Sequence, residues 1–211
     1  MKAVALERLS NLLIITKEAL RQLEGNDNSL NFNLKYWLKR GKIIALKKGY
    51  YILKEKWEKE QDKDTYLEYL ANKIYEPSYL SGEYVMNKYS LLTEAVYGLT
   101  SITTKKPKAF VNELGNFTYY SISTRLFSGY EVERFSSASI LVAKKAKAVF
   151  DYLYLRFLKE TPVNEISIDE LRINWENISP EEFVEIQTFA DLSSSLRIKT
   201  VIRLIKTRYY A

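Results

Sequence analysis

The sequence predicts an α+β protein in two parts, and three observations carry that expectation. The first sixty residues read as short helices followed by a basic hairpin. The middle of the chain alternates β-formers between turn residues, and the last fifty residues return to helical periodicity. With 46% hydrophobic and 27% charged residues the composition is globular, and 211 residues suffice for one large or two small domains.

Several chemistries are excluded at once. The chain has no Cys and no His, which removes thiolate nucleophiles, disulfides, thiolate or imidazole zinc sites and every His-based general base. None of its 7 glycines stand two or five apart, so no dinucleotide-binding turn or phosphate loop is present. No lysine has Asp or Glu two residues before it, which argues against the common restriction-type nuclease core. Asp62 and Asp64 read as solvated surface. We expect neither an enzyme nor a cofactor. No apolar run approaches the ~18 residues of a membrane span, and the start (Met1, Lys2, Glu7, Arg8) lacks a signal peptide's apolar stretch. A cytoplasmic protein is expected, with no membrane partner.

The net charge of +6 is unevenly laid out. Residues 1–60 carry 13 basic and 7 acidic groups, and residues 61–160 carry 13 and 11. Residues 161–191 hold one base and 8 acids, whereas residues 192–211 hold 5 bases and no acid. Such asymmetry implies polyionic partners, or pairing of the last two blocks with each other.

A helix is expected over residues 2–15, with Val4, Leu9, Leu12 and Leu13 as its apolar stripe. Thr16 is placed to cap a second helix, Lys17–Glu24, closed by Gly25. Residues 26–29 form a turn that supplies a further cap. From Leu30 to Arg40, Leu30, Leu34, Trp37 and Leu38 share one buried face, while Asn31, Asn33, Lys35, Tyr36, Lys39 and Arg40 lie opposite. Gly41 ends that helix. Lys42–Ala45 and Tyr50–Leu53 are strands about the basic turn Leu46-Lys47-Lys48-Gly49.

Three short helices and a two-stranded basic hairpin are the elements of a winged helix-turn-helix, whose third helix enters the major groove. Six cations and no acid lie between Lys35 and Gly49, which suits phosphate contact. Asn31, Asn33 and Lys35 are expected in the groove. Tyr36 belongs to the same face, Lys39, Arg40, Lys47 and Lys48 are expected toward phosphates with Tyr50 on the wing, and Lys42 completes the expected DNA-binding set. The partner would be double-stranded operator DNA.

Lys54–Asp64 is a charged connector, and we place the domains at 1–56 and 57–211. Thr65–Ile74 is a helix with Leu67, Leu70, Ala71 and Ile74 inward. Pro77 stops it, and Ser81 is placed to cap the next helix, Gly82–Tyr89. Val96–Thr103, Ala109–Asn112 and Phe117–Ile122 form a small antiparallel sheet. Ser139–Ala143 is a further candidate strand before a long helix, Lys144–Lys159.

Ordered segments along residues 30–158 resemble one known family. They are Leu38-Lys39-Arg40-Gly41-Lys42-Ile43-Ile44, Leu46-Lys47-Lys48-Gly49-Tyr50-Tyr51, Ala71 to Ser81, Glu94-Ala95-Val96-Tyr97, Ser101 to Pro107, Gly115-Asn116-Phe117-Thr118-Tyr119 and Gly129-Tyr130. In this order they are similar to the AbiEi-type antitoxins of bacterial abortive-infection systems. One departure lies at the last helix of the match. The family usually opens it with Pro-Glu-Lys-Ala, whereas this chain has Lys145-Ala146-Lys147-Ala148, keeping Lys147, Ala148 and the later Asp151. The resemblance implies a repressor of its own operon, monomeric or dimeric on inverted repeats, that also counteracts a nucleotidyltransferase-like toxin without catalysis.

At the C-terminal end, Ser179-Pro180-Glu181-Glu182 is a capping box with Pro in the first turn, opening a helix to about Ala190. Ser193-Ser194-Ser195 reads as a cap rather than a nucleophile. Leu196–Tyr209 follows as a helix with Ile198, Val201, Ile202, Ile205 and Tyr209 on one face and Lys199, Arg203 and Lys206 on another. Three readings are open for this basic stripe: pairing with the acidic block, a longer DNA footprint, or contact with the toxin. Glu181, Glu182 and Glu185, with Lys105 and Lys106, are the candidate partner-facing residues. Two alternatives to the antitoxin stay open: a regulator with a ligand-sensing or dimerising second domain, and a protein-binding adaptor.

Overall fold

The structure, a computed structural model, describes residues 9–158 and 160–210. The first half of the expected helix 2–15, Val4 included, lies outside the described residues. Its described end is not helical: Leu9 begins a turn and Ile15–Thr16 form strand β1. Ile14, Ile15 and Thr16 are three consecutive β-branched residues, and pairing of Ile15 with Tyr51 and Thr16 with Tyr50 satisfies their backbone.

Helix α1 (Lys17–Leu23) starts as expected, with the Thr16 hydroxyl accepting from Ala19 N. Asn26 caps helix α2 (Asp27–Lys39) by accepting from Asn28 N and Ser29 N. Gly41, at φ +62°, supplies the left-handed residue that turns the chain out of α2. Strands β2 (Ile43–Lys47) and β3 (Tyr50–Leu53) then form a hairpin closed by Lys48-Gly49, where Gly49 takes φ +83°. The three strands are antiparallel in the order β1-β3-β2.

Residues alternate across this hairpin, so its two faces serve two cores. Ile43, with Tyr51 and Leu53, joins a small cluster made by Leu9, Ile15, Leu20, Leu30, Leu34 and Trp37. Ile44, Leu46 and Ile52 point the other way, into the large cluster of the rest of the chain. Leu38, expected inside, is 40% exposed, because at this end of α2 the small core reaches only Trp37.

The charged connector is helical: α3 (Lys54–Lys59) precedes α4 (Lys63–Ile74), which Asp62 caps. Residue 56, the expected domain boundary, lies within α3. In α4, Tyr66, Glu68 and Tyr69 are buried beside the expected Leu70, Ala71 and Ile74, while Leu67 is half-buried.

The second sheet is larger than expected. Strands β4 (Ser78–Leu80), β5 (Leu99–Thr103), β6 (Lys108–Asn112), β7 (Gly115–Ser121), β8 (Tyr130–Phe135) and β9 (Ala138–Ala143) lie in the order β6-β7-β5-β4-β9-β8. The expected antiparallel pairing holds at β6–β7, whereas β5–β7 is parallel; β4 and β8, not expected as strands, pair antiparallel with β5 and β9, and β4–β9 is parallel. The sheet is therefore mixed.

Helices α5 (Gly82–Lys88), α6 (Lys145–Phe157), α7 (Glu165–Asp169), α8 (Pro180–Ser193) and α9 (Leu196–Tyr209) complete the chain. The capping box forms: Ser179 Oγ accepts from Glu182 N, and Glu182 accepts from Ser179 N. Ser195 caps α9 through Ile198 N. Ser81, expected as a cap for α5, makes no capping bond; its hydroxyl donates instead to Asp151 at 2.7 Å. Tyr209, expected on the buried face of α9, is 40% exposed and stacks on Trp175.

Candidate nucleic-acid interface

On a helix, residues three, four, seven and eight apart share one side. Asn28, Asn31, Phe32, Lys35, Tyr36 and Lys39 follow that rule along α2, and all six are exposed. The structure thus brings together Asn31, Lys35, Tyr36 and Lys39 of the expected set. Asn33 does not join them: it is half-buried on the flank that carries Leu30 and Trp37.

The polar groups on this face are positioned from behind. Lys17 Nζ donates to Asn31 Oδ1 at 2.7 Å, anchoring the amide, while its Nδ2 hydrogens have no partner among the described residues. The one acid in the first turn of α2, Asp27, is neutralised by Arg21 Nε at 3.0 Å, a pair that holds the Asp27 carboxyl below its usual range. Arg40 lies 5.6 Å from the Tyr36 ring centroid, a cation–π distance that steers the guanidinium along the helix. Lys35, Lys39, Arg40 and Lys42 are exposed.

The hairpin lysines differ from each other. Lys48 stands exposed in the two-residue turn. Lys47 is half-buried, with its ammonium 3.8 Å from the Tyr50 ring centroid and 5.6 Å from that of Phe110. Burial, and then repulsion from nearby Lys105, hold the Lys47 amine below its ordinary value. Tyr50, expected on the free wing, is half-buried against the large core. The cause is long-range: β2 packs beside β6, and Asn112 Nδ2 donates to Leu46 O at 3.0 Å.

Lys105 and Lys106 are exposed on the turn between β5 and β6. The Tyr75 hydroxyl donates to Lys106 O at 2.9 Å, and the Lys105 ammonium sits over the Tyr75 ring. This turn therefore adjoins Lys47.

The C-terminal candidates are partly engaged within the fold. Lys199 pairs with Asp191 at 3.0 Å, and Arg208 pairs with Glu165 at 3.4 Å and Asp169 at 2.7 Å. The acidic and basic blocks do pair, at these positions. Arg203 and Lys206 are exposed and make no ion pair among the described residues. Glu182 is half-buried and engaged by Ser179 N and by Lys145 at 2.9 Å, so it is held in the fold rather than offered outward. Glu181 is exposed, its carboxyl held below the usual range by hydrogen bonds at the helix start, and Glu185 is half-buried.

Two features escaped the sequence reading. Phe32 is 71% exposed in the middle of the outward face of α2, a position its spacing from Asn28 and Lys35 already gave away. Lys147 and Asp151 form a wholly buried pair inside α6, although an i,i+4 pair of opposite charges usually marks a solvated face. No family model matches the chain, and no curated protein matches it. No helix among the described residues is long and apolar enough to cross a membrane.

Proposed function

We propose that the chain is a sequence-specific DNA-binding repressor that uses α2 as the groove-entering helix of a winged helix-turn-helix. The single observation that supports this most is the outward face of α2. Amides, cations and an aromatic ring stand exposed there at helical spacing, and the only acid in its first turn is already paired. The order helix, helix, hairpin, with β1 added to the hairpin's edge, agrees with that reading. Lys48 would meet the backbone, while Lys47 and Tyr50 would shape the hairpin rather than touch DNA.

The test is a mobility shift with duplex DNA from upstream of the chain's own reading frame. Asn31→Ala should weaken the preferred site by about 1–3 kcal/mol and random duplex little, whereas Lys48→Ala should weaken both alike. Equal effects of both substitutions on both duplexes would show that α2 is not the reading helix.

The antitoxin part of the reading is supported by the ordered segments that resemble AbiEi-type proteins. In it, residues 57–211 counteract a nucleotidyltransferase-like toxin, with exposed Glu181, Arg203 and Lys206 as candidate contacts. Co-expression with the adjacent reading frame should restore growth that this frame alone arrests. One observation favours a regulator with a ligand-sensing second domain instead: a cleft of about 740 Å³ lined by Glu83, Tyr152, Arg156 and the 92–97 segment. Upstream-duplex binding without growth rescue would select that reading.

A further inference from the structure

Phe32 is an apolar side chain that neither core cluster of the described residues takes in. It is 71% exposed and makes no ring contact among the described residues. Its surroundings on the helix are polar: Asn28 lies one turn before it, Lys35 and Tyr36 one turn after, and Asn31 beside it. A single exposed apolar side chain is ordinary at a protein surface, but this one stands in the middle of the face proposed to enter the groove, and its neighbours set the class of ligand it can meet there. A protein partner fits poorly with a ring fenced by lysines and amides. A nucleic-acid groove fits well, because its floor offers one kind of apolar group, the 5-methyl of thymine, and its walls are phosphates.

Asn31 sharpens the point. Its Oδ1 already accepts from Lys17 at 2.7 Å but keeps a second lone pair, and neither Nδ2 hydrogen has a partner among the described residues. The amide thus presents the acceptor and donor that match the N6 and N7 edge of adenine, whose partner base is thymine. Residue 32 projects about 100° around the helix from residue 31, so its ring meets a neighbouring base rather than the same one.

We propose that Phe32 packs on the 5-methyl group of a thymine in the major groove and thereby makes the protein select an A·T pair at that position. This rests on the reading of α2 as the groove-entering helix. Phe32 is a specificity-determining residue there: phosphate contacts by Lys39 and Lys48 would supply affinity for any duplex, and the ring adds preference.

The test uses a duplex enriched by the protein from a random double-stranded library, synthesised with thymine and again with uracil at each thymine in turn. Uracil lacks only the methyl group. At one position the wild-type chain should bind uracil about fourfold more weakly, the change expected for one methyl-sized group. Phe32→Ala, at an exposed site that leaves the fold intact by circular dichroism, should bind both duplexes equally at that position. Equal binding of thymine and uracil duplexes by the wild-type chain overturns the proposal. So does Phe32→Ala keeping the wild-type discrimination, or changing only the sedimentation mass, which would assign the ring to self-association. Failure to enrich any duplex above random sequence overturns the reading of α2 itself and is recognised before uracil is introduced.

Discussion

The Lys147 ammonium lies 2.6 Å from Asp151 Oδ1 with both side chains at 0% exposure, four residues apart on α6. Asp151 Oδ2 accepts from the Tyr79 hydroxyl at 2.9 Å and the Ser81 hydroxyl at 2.7 Å, so strand β4 is pinned to α6 through one carboxylate. The ammonium also lies 4.8 Å from the ring centroid of Phe150 and 4.9 Å from that of Phe189. Burial pushes the Lys147 amine down and the Asp151 carboxyl up, and their mutual attraction opposes both shifts.

Removing either partner leaves an unpaired buried charge. Lys147→Met and Asp151→Asn should each cost about 3–5 kcal/mol in urea denaturation. The double substitution should cost well below the sum, because no charge is then stranded. Additive costs would show that the two groups do not interact.

Buried phenols set the alkaline limit. Burial raises the hydroxyls of Tyr66, Tyr79, Tyr84 and Tyr119 above the ordinary 10.0, and that of Tyr210 to about 12. A folded-state value above the unfolded one gives stability that is present below pH 10 and lost as pH rises past it. Lys147 acts oppositely, because its lowered value lets stability rise with pH only up to the ordinary 10.5. Above that, Lys147 no longer offsets the loss from the tyrosines. Thermal melts should fall steeply beyond pH 10.5, and the 295 nm absorbance lost in a Tyr79→Phe or Tyr119→Phe variant, read as wild type minus variant, should appear with unfolding rather than before it. Early titration of these phenols in the folded chain would contradict the burial.

The hairpin couples the two cores. Leu46 is 2% exposed on the face that joins the large cluster, while Trp37 reports on the small one and Trp175 on the large. Leu46→Ala should cost about 2–5 kcal/mol. Versions of the chain retaining only Trp37 or only Trp175 should show the same urea midpoint, and Leu46→Ala should lower both together. Movement of the Trp175 transition alone would mean that the two cores unfold independently.

Neighbouring lysines in the hairpin should behave differently. Lys48→Ala should reduce the slope of log affinity against log salt by about 1. Lys47→Ala should leave that slope unchanged and cost about 0.5–2 kcal/mol of stability, because its ammonium rests on Tyr50 and Phe110. The check is duplex titration at several salt concentrations beside urea melts of the same variants.

Local chemistry was the legible part of this sequence. The Thr16 cap, the Lys48-Gly49 turn, the Ser179–Glu182 box and the Leu196–Tyr209 helix follow from residues within one turn of each other. What stayed hidden depends on distant partners. β1 exists because β3 offers it an edge, and the two parallel pairings join strands that are not neighbours along the chain. β8 alternates Glu131 and Glu133 with Tyr130 and Val132, so its pattern was readable, whereas β4 is three residues behind a proline. At the candidate site, helical spacing found Asn31, Lys35, Tyr36 and Lys39. It misplaced Asn33 and said nothing of Lys47, whose burial β6 decides.

The outward face of α2 is tested most directly by fluorescence anisotropy of the upstream duplex, titrated with the wild-type chain and with the Lys35→Glu, Lys39→Glu double variant across a salt series. The expected result is wild-type affinity that falls linearly in log–log form with salt, and no measurable binding by the double variant at an unchanged melting temperature. Equal binding by both proteins, or binding insensitive to salt, would contradict it.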